Sequence, residues 1–471
     1  MTLESKKKLC ALAKPKIVPE LDKEFCPAVL VNKAFAAEVV ASGGGVPLVI
    51  GLDRGDGSRY IHKTKVFASG HPNADLNLPY AERLVKFLLW QKGGFRVTIG
   101  GPKEIWEYIH KLYSADGERQ FDHLYMGELI NENDFEVVLA KPEEVKEPNE
   151  TSMPIGRHLE GCRIGFDLGA SDRKVAAVID GESVFSEEVV WEPRENSDPQ
   201  YHFDQIMEGL KSAAAHMPRV DAIGGSSAGV LINGRPMIAS LFRGIPKDIF
   251  NSRIKEIFHE IGKAWGVPIE VANDGDVTAL AGAMSLNDGS VLGVAMGSSE
   301  AAGYVNAEGN ITGWLNELAF VPIDYNPYAP ADEWSEDIGC GVQYLTQQAV
   351  FRLAPTVGIE LDESDTLAGK LKSVQNLLEA GDANARKIWD TIGVYTGYAV
   401  AHYADFYDIR HMLILGRVTS GIGGGIILDK AKEVLAVEFP ELSAKMGIQL
   451  PDEKTRRVGQ AVAAASLPVV P

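Results

Sequence analysis

The chain has 471 residues, with Lys+Arg 46 against Asp+Glu 65 and a formal net charge of −19. That acidic balance argues against a general nucleic-acid or anionic-membrane surface, although a local loop can still bind a phosphorylated small molecule. The length exceeds one ordinary core and predicts two or three domains of a soluble globular protein.

The opening stretch, MTLESKKKLCALAKPKIVPE, has lysines but no long apolar run behind them. No signal peptide and no bilayer-spanning window are expected, and a cytoplasmic location is the default. Cys10, Cys26, Cys162 and Cys340 are scattered and form no CxxC pair, so no disulfide framework is expected.

Residues 1–155 read as a separate α/β module. SGGG at 42–45 precedes a strand-like PLVIGLD at 47–53. Residues 78–90 have helical spacing, with Leu84, Phe87 and Leu88 on one face. Residues 95–99 and 135–139 read as strands, and 102–112 as a helix with Pro near its start. GGFRVTIGGP lacks the GxGxxG spacing and is taken as strand punctuation. The polar, charged stretch at 141–152, KPEEVKEPNETS, reads as a linker.

Beyond Gly161 the stretch GCRIGFDLGASDRKVAAVIDG predicts a strand, a tight turn and a second strand. Asp167, Gly169, Ala170 and Ser171 put a carboxylate, backbone N–H groups and a hydroxyl in one turn. Such N–H groups can cradle phosphate, and a carboxylate near phosphate acts through Mg²⁺. An ordinary hairpin whose Asp caps the turn is the alternative. Residues 254–265 read as an amphipathic helix, and 269–272 as a strand running into Asn273-Asp274. The stretch 277–284 is helical, and 291–304 is a strand pair with a turn at Gly297-Ser298-Ser299. Helices are predicted at 344–353, 367–378, 385–406 and 456–465. A strand at 412–416 leads into Gly416-Arg417-Val418. The glycine-bearing strand-turn units at 164–172 and 291–303 point to two similar lobes around a cleft. Their turns together could supply the donors a nucleotide triphosphate needs. Asp274 reads either as a helix N-cap or as a carboxylate that takes a proton from an attacking hydroxyl.

Residues 160–471 resemble the ROK family of sugar kinases, repressors and open reading frames, members of the actin-like ATPase (ribonuclease H-like) superfamily with hexokinase. The resemblance rests on IGFDLGASDRKVAAVIDG, AIGGSSAG at 222–229, ANDGDVTALAG, LGVAMGSSEAAGYVNAEGNI, NELAF at 316–320, GCGVQYLTQQAV and ILGRVTSG, in the family's order. It implies a two-lobed α/β fold with an added N-terminal α/β module. Lobe I would comprise 156–275 plus 446–471, and lobe II 276–445. It also implies ATP-dependent phosphorylation of a hydroxyl of a sugar or sugar-like metabolite, with Mg²⁺, in a homodimer. Asp274 would be the general base, with Asn273 holding a neighbouring hydroxyl. Ser227, Gly229 and Glu317 would lie on the sugar side. Asp167 would position Mg²⁺, with Gly169, Ala170 and Ser171 facing phosphate. Gly297, Ser298 and Ser299 would form the second phosphate contact, and Gly416, Arg417 and Val418 would lie by the nucleoside.

The departures from the family are as informative. Phe320 and Ala319 replace the histidine and glycine of the E-x-G-H motif, and of the zinc cysteines only Cys340 remains, with Glu333 and Ser335 matching two others. No zinc is therefore expected. Glu300 in GSSEAAG either brings a negative charge near the phosphate or points away into solvent. A degenerate sensor that binds sugar or nucleotide without turnover is the alternative function. A DNA-binding repressor fits less well, because 1–155 read as α/β with nearly cancelling charges.

Overall fold

The computed structural model describes residues 2–150, 155–169, 172–451 and 459–470. Among these residues no helix is long and apolar enough to cross a membrane.

The N-terminal module is a four-stranded sheet of β1 (Val46–Asp53), β2 (Arg59–Val66), β3 (Arg96–Gly100) and β4 (Glu136–Ala140), in the order β2-β1-β3-β4. β3 and β4 are parallel and the other pairs antiparallel. The sequence pattern anticipates every strand except β2. Its RYIHKTKV is half-exposed along most of its length, as a lysine-bearing edge strand should be, so it has no hydrophobic period to read.

The helix Asn77–Lys92 follows the expected spacing but is buried on all sides, including Glu82, Arg83, Lys86 and Gln91. Such charges survive burial only when paired. Arg119 Nη2 lies 2.8 Å from Glu82 and its Nη1 lies 2.7 Å from Asp337, while Arg83 Nη2 lies 3.1 Å from Asp337. Lys86 Nζ lies 2.6 Å from Asp122. Asp337 belongs to the loop after residue 320, so the network ties the module to the C-terminal part of the chain.

The first lobe's sheet contains β5 (Cys162–Leu168), β6 (Asp172–Ile179), β7 (Glu182–Val190) and β8 (Ala222–Ser227). A short hairpin, β9 (Val230–Ile232) and β10 (Arg235–Ile238), precedes β11 (Ile269–Asn273). The order is β11-β8-β5-β6-β7, with β5, β8 and β11 parallel. The second lobe repeats a hairpin followed by parallel strands: β12 (Val291–Met296), β13 (Glu300–Val305), β14 (His411–Leu415) and β15 (Gly447–Gln449), ordered β13-β12-β14-β15. β15 pairs with β14, so the expected boundary at 446 falls just ahead of a second-lobe strand. The chain then returns to the first lobe with the helix Gln460–Ala465. That helix lies directly on β5 and β8 because Gly165 and Gly224 have no Cβ. One added there would sit 1.8 Å from the Ala461 carbonyl oxygen and 1.7 Å from that of Ala464.

Two expectations need correction. The module is not separate, because one continuous core joins it to the second lobe. Phe25 sits among Tyr344, Tyr395 and Tyr398 at 4.8–6.1 Å, and Phe87 stacks on Phe406 at 4.0 Å. Part of the expected linker also packs down, Val145 lying over Gly51 and Gly100. Further, Cys10 and Cys26 are paired as a disulfide with Cα atoms 6.0 Å apart. Spacing alone hid the pair, because the helix Leu3–Cys10 folds back beside the segment that precedes the helix Ala28–Ala41.

Candidate active site

The C-terminal ends of β5, β8 and β11 meet at the floor of a cleft between the lobes, where ligands of open α/β sheets bind. Asp167 ends β5 opposite Ser226 of β8, whose Oγ donates to Asp167 Oδ1 at 2.7 Å. Gln460 Nε2 reaches Ser226 Oγ at 3.1 Å, Asp167 Oδ1 at 3.4 Å and the Asp274 carbonyl oxygen at 3.5 Å. One amide of the last helix thus links the Asp167 carboxylate to the Asp274 main chain. Burial pushes the Asp167 carboxyl up to about 6, against the Ser226 hydrogen bond, and the nearby Asp274 charge adds to the rise. The Asp274 carboxyl is also raised by burial. Both residues are half-buried, so the depth of surrounding protein, not complete exclusion of water, drives these shifts.

The cap of the helix Asp274–Leu286 is Asn273, whose Oδ1 accepts from Gly275 N at 2.8 Å. Its Nδ2 donates to the Gly229 carbonyl at 2.8 Å. Asp274 therefore occupies the first helical position with its carboxyl at the cleft. Asn273 itself holds the helix start against the loop at Gly229, so its amide is engaged in positioning.

Glu317 opens a short turn ahead of Leu318–Phe320. Its N–H donates to the Trp90 carbonyl at 3.0 Å, and that of Asn316 to Gln91 at 3.0 Å. The C-terminal end of the buried module helix thus sets the height of this turn. Burial, then the charges of Asp274 and Asp276, push Glu317 up to about 7. Asp276, buried and accepting from Asn316 Nδ2 at 3.0 Å, is likewise pushed up to about 7.

Glu300 does not point away into solvent. It is 1% exposed and accepts from Tyr403 Oη at 2.9 Å, and burial pushes its carboxyl up to about 8. The rise favours the neutral acid near pH 7, and the residue belongs to the cleft lining beside Ser298 and Ser299.

The turns divide. Gly169 N donates to Asp172 O at 2.9 Å and its carbonyl accepts from Trp191 Nε1 at 2.8 Å, while Ala170 and Ser171 lie outside the described residues. Gly297 N closes its own hairpin onto Ser299 O at 3.1 Å, leaving Ser298 and Ser299 exposed at the cleft. Gly416, with φ +103°, packs on the end of β12, where an added Cβ would meet Met296 O at 2.6 Å. Arg417 is exposed. Two expected contacts move away from the cleft. The Val418 side chain is buried in the second-lobe core, with its carbonyl bonded to Trp389 Nε1 at 3.0 Å. Ser227 is as buried as Ser226, and of the two it is Ser226 whose Oγ donates to Asp167.

Phe320, in the place of the motif histidine, packs 4.3 Å from Trp90 and 5.4 Å from Phe121. Ser335 bonds Asp332 through N and Oγ at 2.7 Å, and burial raises the Cys340 thiol far above its usual range. Among the described residues no group of three His, Cys, Asp or Glu side chains is placed to hold a metal ion. The cleft encloses about 610 Å³, and Trp90, Tyr125 and Ile130 of the N-terminal module form part of its wall with Arg194 of the first lobe. None of these four, nor Ser226 or Gln460, was singled out from the sequence. Ser226 stood one residue from the choice made; the others gave no local signal.

No family model and no curated protein matches the chain. Solved structures do. A ROK family transcriptional regulator, a homolog of the E. coli MLC protein, superposes with a TM-score of 0.53 at 18% identity over 66% of this chain and 79% of its own. A ROK hexokinase from Thermus thermophilus gives 0.51 at 17% identity over 64% and 96%. A candidate N-acetylmannosamine kinase from Listeria monocytogenes gives 0.50 at 15% over 64% and 97%. At these identities the likeness is one of fold, and the two lobes have the actin-like ATPase architecture of these ROK structures.

Proposed function

We propose that this protein is an ATP-dependent kinase that phosphorylates a hydroxyl of a sugar or sugar-like metabolite. The observation that carries the reading is the pair of raised carboxyls, Asp167 and Asp274, at the floor of an interlobe cleft, with Gln460 bonded to the Asp167 carboxylate and to the main-chain carbonyl of Asp274. Asn273 caps the helix and Asp274 Oδ1 shares the Gly275 N–H at 3.0 Å, so its other carboxylate oxygen would be the one to act on a ligand. Its raised pKa makes it a better base toward an acceptor hydroxyl, whose proton it would take as the oxygen attacks. Glu317 would accept a second hydroxyl of the same acceptor.

The donor set at Asp167 suits Mg²⁺ held through one carboxylate and water, with phosphate oxygens completing the shell. A half-buried carboxyl aimed by Ser226 and Gln460, whose rise the charge of Lys174 across β6 only partly offsets, is what such an ion would relieve. When bound, Mg²⁺ neutralises charge on the phosphoryl oxygens. Ser298 and Ser299 would face those oxygens, and the exposed Arg417 would lie toward the nucleoside.

A second reading, a sensor without turnover, draws support from the Gly297 turn, which spends one amide on its own hairpin. A DNA-binding role, suggested by the regulator among the neighbours, fits poorly with a module embedded in the second lobe's core. The test is nucleotide binding with and without Mg²⁺, then a sugar panel scored for ADP release. ADP release that is lost in Asp274→Asn supports the kinase. Nucleotide or sugar binding with no release supports the sensor.

A further inference from the structure

The lining of the cleft is acidic. Among its described residues Asp274, Glu300, Glu317, Asp332 and Glu333 carry carboxyls, and Arg194 is the one cation. Arg194 is half-buried in a short turn of the first lobe, Pro193–Glu195. That turn is braced from several sides. Trp191 Nε1 donates to the Gly169 carbonyl at 2.8 Å, Glu192 N donates to Tyr201 Oη at 3.1 Å, and His202 Nε2 lies 3.0 Å from the Pro193 carbonyl oxygen. Gly244 packs so closely that an added Cβ would meet Arg194 O at 2.8 Å. The acid next in sequence does not answer the Arg194 guanidinium, because Glu195 Oε1 is held by Arg243 Nη2 at 2.9 Å. Arg194 Nε is buried without a hydrogen-bond partner, and among the described residues no group pairs with the guanidinium.

We propose that Arg194 is a phosphoryl-binding residue, whose guanidinium holds the oxygens of the group in transfer, first as the terminal phosphate of the nucleotide and then on the product. The inference rests on the kinase reading for the identity of that anion. In the step itself the acceptor oxygen bonds to phosphorus as the bond from phosphorus to the ADP oxygen breaks. ADP leaves with the electron pair, and Asp274 keeps the acceptor's proton. A buried donor without an acceptor is a cost that a bound oxyanion would remove. The planar fork of the guanidinium matches phosphoryl oxygens two bonds at a time. The bond from Trp191 to Gly169 fixes the Arg194 turn to the end of the β5–β6 hairpin, on the side of Asp167. One cation placed there also offsets the acidic lining and the amide that Gly297 gives to its own hairpin.

The experiment uses the full chain with Mg²⁺. Calorimetry compares the β,γ-imido analogue of ATP with ADP, and ADP release from ATP is then followed over a sugar panel. Arg194→Ala is expected to weaken the analogue about tenfold or more, through loss of charge-assisted bonds to its terminal phosphate, while ADP affinity stays that of the wild type. On a sugar that is turned over, kcat should fall about 10²-fold or more with little change in acceptor KM. Arg194→Lys, which keeps the charge and loses the fork, should recover part of the rate. The ligand-free melting midpoint should not move, because the guanidinium holds no protein partner. If Arg194→Ala fails to fold, Arg194→Gln makes the same comparison. A lowered midpoint with equal loss of ADP and analogue marks a structural residue and overturns the inference. A loss confined to the KM of an anionic sugar assigns Arg194 to the acceptor and overturns it too. An Arg194-dependent preference for the analogue over ADP, without ADP release on any sugar, keeps the inference and removes the kinase reading. ADP release with kcat untouched in Arg194→Ala does the reverse. Binding of no nucleotide at all overturns both.

Discussion

The two ends of the cleft are built by different means. The nucleotide end consists of strand ends and short turns within the two lobes, and its acids are aligned by strand register and one glutamine. The acceptor end is assembled from parts far apart in the chain: a module helix, a turn at 316–320 and the loop that carries Asp337. Electrostatics differ in the same way. At the nucleotide end burial raises the acids, and Lys174, opposite Asp167 on β6, offsets this only in part. At the acceptor end Asp337 lies between Arg119 and Arg83, which hold its carboxyl far below the usual range against the cost of burial. The first arrangement leaves charge available to a ligand, while the second spends charge on holding the fold together. Both are buried acids, so partners, and not burial, decide which serves binding and which serves stability.

The sharpest break of this contrast is Asp274→Asn. We expect turnover on an identified acceptor to fall about 10²- to 10⁴-fold, while the thermal midpoint stays near that of the wild type because Asn273 carries the cap. Steady-state kinetics beside a melting curve decide it; an unchanged kcat removes Asp274 as the base. The companion change, Asn273→Ala, should lower stability by about 1 kcal/mol through loss of the cap.

At the acceptor end, Asp337→Ala leaves the buried Arg83 and Arg119 to share the single carboxylate of Glu82. Breaking such a pair costs about 3–5 kcal/mol, read as a lower denaturant midpoint. Asp167→Asn is expected to be neutral or stabilising without ligand, since it removes a desolvated charge, and to weaken Mg²⁺-nucleotide binding. If both substitutions destabilise equally, the division between the two ends fails.

The pH dependence sharpens the same point. The carboxyls of Asp167, Asp276, Glu317 and Glu300 are raised to about 6, 7, 7 and 8 in the folded protein. These four groups therefore hold more protons in the folded state than in the unfolded chain, from the ordinary carboxyl range up to about pH 8, whereas the lowered His62, His402 and Lys92 act in the opposite direction. The slope that the four give to stability with pH is negative, and this contribution, complete at pH below about 4, is lost as pH rises through 6 to 8. Melting curves of the ligand-free protein should show it. In Glu300→Gln the fall between pH 7 and 8.5 should be shallower; an identical profile means that Glu300 is not the group titrating there.

The smallest effect is expected where the module meets the first lobe through exposed ion pairs, such as Lys247 Nζ on Glu128 at 2.8 Å. Glu128→Gln should leave the global midpoint unchanged but speed amide exchange in Tyr125–Asn131. A large drop in midpoint would show the tether to be part of the main core instead.

Much of the lobe architecture was legible from local pattern. The apolar run ending in Asp167, the Gly297 turn and Asn273-Asp274 at a strand-to-helix junction depend on neighbours within a few residues, and the sequence by itself determined them. So did the loss of the motif histidine at Phe320. Everything that needed distant partners was decided only by the tertiary structure. The pairing of Ser226, not Ser227, with Asp167 depends on the register of β8 with β5. Gln460 reaches Asp167 across 293 positions. Glu300 reads as an ordinary charge in sequence, but burial in the second lobe pushes its carboxyl up to about 8 against the Tyr403 hydrogen bond. Cys10 and Cys26, the polar helix Asn77–Lys92 and the aromatic wall of the cleft have the same origin. Burial and pairing are properties of what comes to lie alongside a residue, and no local period encodes that.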